Sequence, residues 1–124
     1  MKILTPVSLG ELYDKISILE IKTTNIADPV KIANVIKEYK ELRAVGEKHP
    51  IDQDLYKQLK LVNEDLWNIE DNIRECERNK DFGDKFLKLA RDVYITNDKR
   101  SEIKREINIK YGSDLVEEKS YEKY

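Results

Sequence analysis

A heptad repeat of apolar residues runs through the middle of the chain, between Asp52 and Asn79. Its members are separated by alternating steps of four and three residues: Leu55, Leu59, Val62, Leu66, Ile69, Ile73 and Cys76. Such steps keep the side chains on one face of an α-helix, where they pack against another helix as in a coiled coil. The repeat predicts a long helix with an apolar seam that other helices must cover.

End signals and apolar spacing predict three further helices. Ser8 and Glu11 form a capping box, in which each residue's side chain satisfies a free backbone N–H of the other. Asp28 followed by Pro29 places an N-cap before a proline at the first helical position, and the segment RNKDFGDK breaks the heptad helix around Gly83. The predicted helices span 8–25, 29–47, 52–79 and 82–111, and residues 113–124 form a short C-terminal helix or a docked tail.

The composition favours an all-α fold. Charged residues are 39% of the 124 residues, against roughly 25% in average globular proteins, and there are only 4 glycines and 3 prolines. Short predicted loops make consecutive helices antiparallel neighbours. We therefore predict a single domain over 1–124, an antiparallel helical bundle or long helical hairpin of about four helices.

Charge and cysteine usage argue against several classes of protein. The 23 Lys and Arg are balanced by 25 Asp and Glu, so no single-sign field attracts nucleic acid or anionic lipid. No apolar segment approaches the roughly 20 residues of a membrane span, and the N-terminal apolar run is too short for a signal peptide. Cys76 is the only cysteine, which suits a reducing compartment. We expect a cytoplasmic protein without nucleic-acid or membrane partners.

The first helix carries apolar residues on two faces. One face contains Leu9, Leu12, Tyr13, Ile16 and Leu19, with Glu20 at its edge. Ile18 and Ile21 lie on the opposite face, among the charged residues Glu11, Asp14, Lys15 and Lys22. We therefore expect the second face to be covered by the tail, by another helix or by a second subunit, which would partly bury some of these charges.

The fourth helix interrupts its apolar seam with charge. The spacing from Val93 leads to Arg100 and then to Ile103 or Lys104. An unpaired buried guanidinium costs several kcal/mol, so Arg100 needs a partner. Folding the helices at their loops brings Arg100 to the level of Asp14 and of a polar stripe on the third helix: Asn63, Trp67, Glu70 and Arg74.

Two hypotheses account for this polar level. In the first, the cations pair with carboxylates in a buried salt-bridge network that fixes the register of the helices. The pairs would be drawn from Arg74, Arg100 and Lys104 on one side and Glu11, Asp14, Glu20 and Glu70 on the other. In the second, the carboxylates hold a metal, or the cations hold an anionic ligand against Trp67 or Tyr94.

No catalytic signature is present in the sequence. His49 is the only histidine and is predicted to lie in a loop, so it supplies neither a paired di-iron motif nor a partner for Cys76. The few glycines serve turns and form no phosphate-binding loop. The sequence therefore identifies no catalytic residue, metal or cofactor, and it favours a non-enzymatic protein while leaving an enzyme open.

Four segments carry a family resemblance: PVSLGELYDKISILEIK, VNEDLWNIEDNIRECE, NDKRSEIKREIN and LVEEKSYEKY. Over nearly its whole length the chain resembles a family of short helical proteins and domains of unknown function from bacteria and marine phage. The resemblance implies no catalytic residues. It points towards a sugar-nucleotide context, because related domains occur beside glycosyltransferase or surface-polysaccharide modules.

The resemblance also implies a pattern of family positions that overlaps the polar level. It runs through Glu11, Asp14, Lys15, Glu20 and Lys22 on the first helix, Trp67, Glu70 and Asp71 on the third, and Asn97, Asp98 and Arg100 on the fourth. With Lys104 from the seam, these are the candidate ligand-binding residues. The tail positions Glu118, Lys119, Ser120 and Tyr121 also belong to the pattern, which favours a tail strapped across the face of Ile18 and Ile21.

The unequal helix lengths predict a homodimer. At 1.5 Å per residue the first helix is about 26 Å long and the fourth about 45 Å, which leaves the long pair partly uncovered. A second copy would cover it, whereas a kink or break near Asn97 is the alternative. The leading hypothesis is a cytosolic helical module for assembly or for binding a protein partner. The rival hypothesis is binding or processing of a phosphorylated or nucleotide-sugar ligand at the polar cluster.

Overall fold

The computed structural model describes all of residues 1–124 and contains four α-helices and no strand. They are α1 (Leu9–Asn25), α2 (Pro29–Glu47), α3 (Gln53–Arg78) and α4 (Asp84–Lys110). The predicted all-α helical bundle is confirmed. α4 is continuous through Asn97, so the alternative of a break there is wrong. No helix has an apolar stretch long enough to cross a bilayer.

Side-chain caps begin three of the four helices. Each cap oxygen accepts a backbone N–H that has no partner inside its own helix. The caps are Ser8 for α1, Asp28 for α2 and Asp52 for α3. α4 begins after Gly83 without a side-chain cap.

The helices form three layers with α1 in the middle. α3 and α4 make a long antiparallel hairpin, and α1 packs against both of them. α2 packs against α1 alone and contacts neither α3 nor α4. α1 is therefore covered on two sides by helices, which explains its two apolar faces. Ile21 is only 3% exposed, and Ile18 lies against α3 beside Leu66 and Trp67.

The apolar core lies where α1 crosses the hairpin. Its buried members are Leu12, Ile16, Leu19 and Ile21 of α1, Leu55, Leu59 and Val62 of α3, and Ile107 of α4. α1 ends beside Trp67 and Asn68 of α3. Beyond that level only α4 covers the heptad seam, so Ile69 and Ile73 are half-buried.

The start of α1 fits closely against the end of α4. A Cβ at Gly10 would lie 2.5 Å from the carbonyl oxygen of Lys104, so only glycine permits this approach. The N–H of Gly10 donates to Asn108 Oδ1 at 2.7 Å, and the N–H of Leu9 donates to Ser113 Oγ at 3.1 Å. The free amides of the first turn of α1 are thus satisfied by residues at the other end of the chain.

Residues 113–124 form a docked tail without helix. Gly112, with φ +63°, turns the chain back along α4. Arg105 donates to Glu118 Oε1 at 2.8 Å, and Tyr124 donates its hydroxyl to Asp98 Oδ2 at 2.7 Å. These polar contacts place the tail on α4.

The expectation that the tail crosses the face of Ile18 and Ile21 is therefore wrong. α3 covers that face instead, because α1 packs against both helices of the hairpin. The tail instead makes its hydrogen bonds with charged residues of α4. The sequence pattern alone does not show which helix the tail contacts.

Candidate functional site

Asp14 is the centre of a buried ionic network. Its side chain is 1% exposed. Arg100 donates from Nε to Asp14 Oδ1 at 2.9 Å and from Nη2 to Oδ2, which is a bidentate contact. Asn63 Nδ2 donates to the same Oδ1 at 3.0 Å, and Lys104 Nζ lies 3.9 Å from Oδ2. One carboxylate of α1 therefore binds partners from both helices of the hairpin.

Lys104 extends this network towards the start of α1 and the tail. Its side chain is 7% exposed, and its Nζ donates to Glu11 Oε2 at 2.7 Å. The same Nζ lies 3.5 Å from Glu117 Oε1. With Asp14, three carboxylates surround one ammonium group, and their charges offset the cost of burying it.

The network favours the ionised forms of Asp14 and Arg100. Burial raises the pKa of Asp14, but hydrogen bonds from Arg100 and Asn63 and the charges of Arg100 and Lys104 hold it below the ordinary value. The hydrogen bond to Asp14 raises the pKa of Arg100. Arg100 and Lys104 thus pair with Asp14 and Glu11, as the salt-bridge hypothesis predicts.

Sequence reasoning missed two buried polar residues beside the network, Ser17 and Asn108. Ser17, Thr96 and Asn108 are buried, and Asn63 links two of the helices because its Nδ2 also donates to Ser17 Oγ at 2.8 Å. A signal for the α4 members is present in the sequence. Polar residues recur every four positions along that helix and form one stripe: Thr96, Arg100, Lys104 and Asn108.

Glu20 belongs to a separate cluster between α1 and α3. Tyr56 donates its hydroxyl to Glu20 Oε2, and Lys60 Nζ donates to Oε1 at 3.0 Å. Burial raises the pKa of Glu20, but these two hydrogen bonds outweigh burial and hold that pKa below its ordinary value. Burial and the hydrogen bond to Glu20 raise the pKa of Tyr56. A cavity of about 370 Å³ adjoins this cluster, and its lining includes Tyr13, Tyr39 and Arg43.

A cleft between α1, α3 and α4, which we call the Trp67 cleft, has a volume of about 440 Å³. It is lined by Ile18, Asn63, Leu66, Trp67, Glu70, Asp71, Arg74, Asn97 and Arg100. Arg100 Nη1 lies 3.5 Å from Asn97 Oδ1, and Arg74 pairs with Glu70 on one wall. The structure therefore brings five candidate residues together beside the ionic network: Trp67, Glu70, Asp71, Asn97 and Arg100.

The remaining candidate residues lie elsewhere. Lys15 is exposed, with its Nζ 3.9 Å from Glu11 Oε1, and Lys22 is half-buried in the last turn of α1. Asp98 accepts the hydroxyl hydrogen of Tyr124 under the tail. No group of three or more His, Cys, Asp or Glu residues that could hold a metal ion is present. The candidate set is thus divided among the network, the Glu20 cluster, the Trp67 cleft and the surface.

Fold and site together define a small all-α protein in which a buried ionic network joins a central helix to a helical hairpin. The chain belongs to a family of unknown function (DUF6165), whose family model matches residues 1–124. The resemblance to a family of unknown function is thereby confirmed. No curated protein and no solved structure matches the chain.

Proposed function

We propose that the protein is a non-enzymatic assembly module that forms a two-fold homodimer through the distal hairpin, defined as residues 69–94 of α3, α4 and their loop. The observation that supports this function is the apolar surface of that segment. Phe82 and Leu87 are 52% and 57% exposed, and Tyr94 is also exposed. Exposed apolar side chains beside an incompletely covered seam are typical of an interaction surface.

The distal hairpin lacks a third helix. α3 and α4 contain 26 and 27 residues against 17 in α1, so the hairpin extends roughly 14 Å beyond α1. In this part the seam residues Ile73, Phe86 and Leu89 are only half-buried. Two helices cover a heptad seam from one side only, and the other side needs a further partner.

A second copy of the chain supplies a suitable partner. Two distal hairpins packed about a two-fold axis make a four-helix arrangement, in which each antiparallel coiled coil covers the open side of the other. A net charge of only −2 gives little repulsion between copies. Because the lone cysteine, Cys76, is buried and unpaired, we place the dimer in the reducing cytoplasm.

A non-enzymatic role accords with the ionic network. Asp14, Arg100 and Lys104 bind one another, so their charges hold the three helices together. A catalytic carboxylate usually has its pKa moved towards neutrality, whereas the pKa of Asp14 is shifted in the opposite direction.

Light scattering after gel filtration tests the dimer directly. The wild type should have twice the chain's 14.7 kDa at micromolar concentration. Leu87→Glu, in the exposed apolar surface, should give the mass of one chain with unchanged helical circular dichroism. Val30→Glu, at an exposed apolar position of α2, is the control and should remain a dimer. A monomeric wild type, or a Leu87→Glu variant that still dimerises, would contradict the proposal.

A further inference from the structure

We propose that the Trp67 cleft binds an uncharged polar ring, a hexose or a nucleobase, which stacks on Trp67 and hydrogen-bonds to Asn63, Asn97 and Arg100. This binding activity goes beyond assembly. The cleft shares Glu70, Asp71 and Arg74 with the inner end of the distal hairpin, but the exposed apolar residues Phe82, Leu87 and Tyr94 are not part of its lining.

The ionic network leaves two polar groups available at the cleft. Asn63 is 4% exposed and donates from Nδ2 to both Asp14 and Ser17, which fixes the orientation of its amide. Its Oδ1 accepts no hydrogen bond within the chain and remains an acceptor for a ligand. Because Asn63 lines the cleft, this oxygen can accept a hydrogen bond from a donor bound there.

Arg100 supplies the complementary donor. Its Nε and Nη2 are committed to Asp14, but Nη1 makes only a 3.5 Å contact with Asn97 Oδ1. Asn63 and Arg100 both donate to Asp14 Oδ1, so the two side chains are neighbours. The cleft thus presents an acceptor and a donor close together, held in place by one buried carboxylate.

The charges of the lining favour a neutral ligand over a phosphate. Glu70 pairs with Arg74, and Asp14 behind the cleft compensates the charge of Arg100, so Asp71 is the unpaired charge of the lining. A phosphate in the cleft would therefore meet two carboxylates and no uncompensated cation. The lining therefore favours the uncharged ring of the ligand that the sequence suggested over its phosphorylated part.

The shape of the cleft suits a ring. Trp67 is half-buried, and with Ile18 and Leu66 it forms the apolar part of the lining. The volume of about 440 Å³ falls within the roughly 300–1,000 Å³ of small-molecule sites. Aromatic faces bind flat or ring-shaped groups by stacking, and polar neighbours then read the edge of the ring.

The fluorescence of Trp67 reports on this site directly, because it is the only tryptophan. We would titrate the full-length protein with glucose, galactose and N-acetylglucosamine in one arm and with adenosine, guanosine, cytidine and uridine in the other. Each compound would be compared with its monophosphate. The expected result is a saturable change in one arm, with the neutral compound binding at least as tightly as its phosphate.

Matched variants connect the signal to the cleft. Asn97→Ala should weaken binding about tenfold, the typical effect of one lost hydrogen bond, whereas Asn72→Ala, exposed on α3 outside the cleft, should leave it unchanged. Leu87→Glu should bind normally even as a monomer, which separates this site from the dimer. A silent tryptophan in both arms, binding by phosphorylated compounds alone, or an unaffected Asn97→Ala would overturn the proposal.

Discussion

Asp14 carries its charge inside the protein, and its side-chain partners Asn63, Arg100 and Lys104 all come from the hairpin. An exposed ion pair contributes little to stability, but a buried charge that loses its partner is strongly destabilising. The consequences of a substitution here therefore depend on which member is removed. Removing Arg100 strands a carboxylate, whereas removing both groups leaves no charge to strand.

Arg100→Met should therefore destabilise the protein by about 3 kcal/mol, at the low end for a buried pair because Arg100 is 30% exposed. Urea unfolding at pH 7 measures this free energy. Asp14→Leu combined with Arg100→Met should cost less than the sum of the two single changes. If the single effects simply add, the two side chains are not coupled and the network has no joint role.

Acid should weaken the fold through the same carboxylate. The pKa of Asp14 is below its ordinary value in the folded protein, so its contribution is complete above the unfolded pKa of about 3.9 and is lost as the pH falls through the lower, folded value. Glu20 acts in the same direction. Urea unfolding should show nearly constant stability from pH 7 to about 5 and a decline below about 4.

Asp14→Asn serves as the test of this assignment. It should be less stable than the wild type at pH 7 and should lose less on acidification, whereas Glu75→Gln, at an exposed position of α3, should follow the wild-type curve. Parallel curves for the wild type and Asp14→Asn would show that other carboxylates cause the acid sensitivity.

At the scale of the helices, the contact of α1 with α4 depends on a missing side chain. Gly10→Ala would place a methyl group 2.5 Å from a backbone oxygen of α4, which has no freedom to rotate away. The helices must separate, and the variant should lose about 1–3 kcal/mol, the usual cost of overpacking. Thermal unfolding measures the loss. Gly83→Ala, whose new Cβ meets nothing closer than 3.5 Å, should change stability far less.

Helix starts and the α3 seam could be predicted from sequence because their causes are local. Ser8, Asp28 and Asp52 cap the amides of their own helices, and the heptad repeat records one face of α3. The packing of α2 could not be predicted, because its apolar residues do not show that they pack against α1 alone. The tail was misplaced for a similar reason, since its ion pairs join residues 13 positions apart around a turn.

The candidate site was predictable where a residue broke a pattern. Arg100 interrupts an apolar seam and Asp14 lies between two isoleucine-bearing turns, and they do meet. Ser17 breaks no pattern, because a serine on a helix is ordinarily exposed, whereas Asn108 belongs to the polar stripe of α4 that recurs every four residues. Glu20 stands near Asp14 in sequence but points to Tyr56 and Lys60, since positions six apart lie on different sides of a helix.

Across the whole molecule, the three layers differ in how many kinds of contact attach each of them to the rest of the protein. α1 is fixed by apolar contacts on both sides, by the ionic network and by the contacts of its first turn with Asn108 and Ser113. α2 contacts α1 alone, and Gly46 is its only buried residue. Tyr13 donates its hydroxyl towards the carbonyl oxygens of Gly46 and His49, so the attachment of α2 is firmest at its C-terminal end.

Hydrogen exchange should follow this layering. Amides in the first half of α2 need only local opening to exchange, whereas those of α1 and of α4 near Arg100 need the bundle to separate, so α2 should exchange at least about tenfold faster. Mass spectrometry of deuterium uptake at pH 7 resolves the helices. Tyr13→Phe should speed exchange further in the C-terminal half of α2 and leave the network segment of α4 unchanged, because it removes only the hydroxyl that binds Gly46 and His49. Equal protection of α1 and α2 in the wild type would mean that the layers open as one cooperative unit, and the attachment of α2 would then be stronger than its contacts imply.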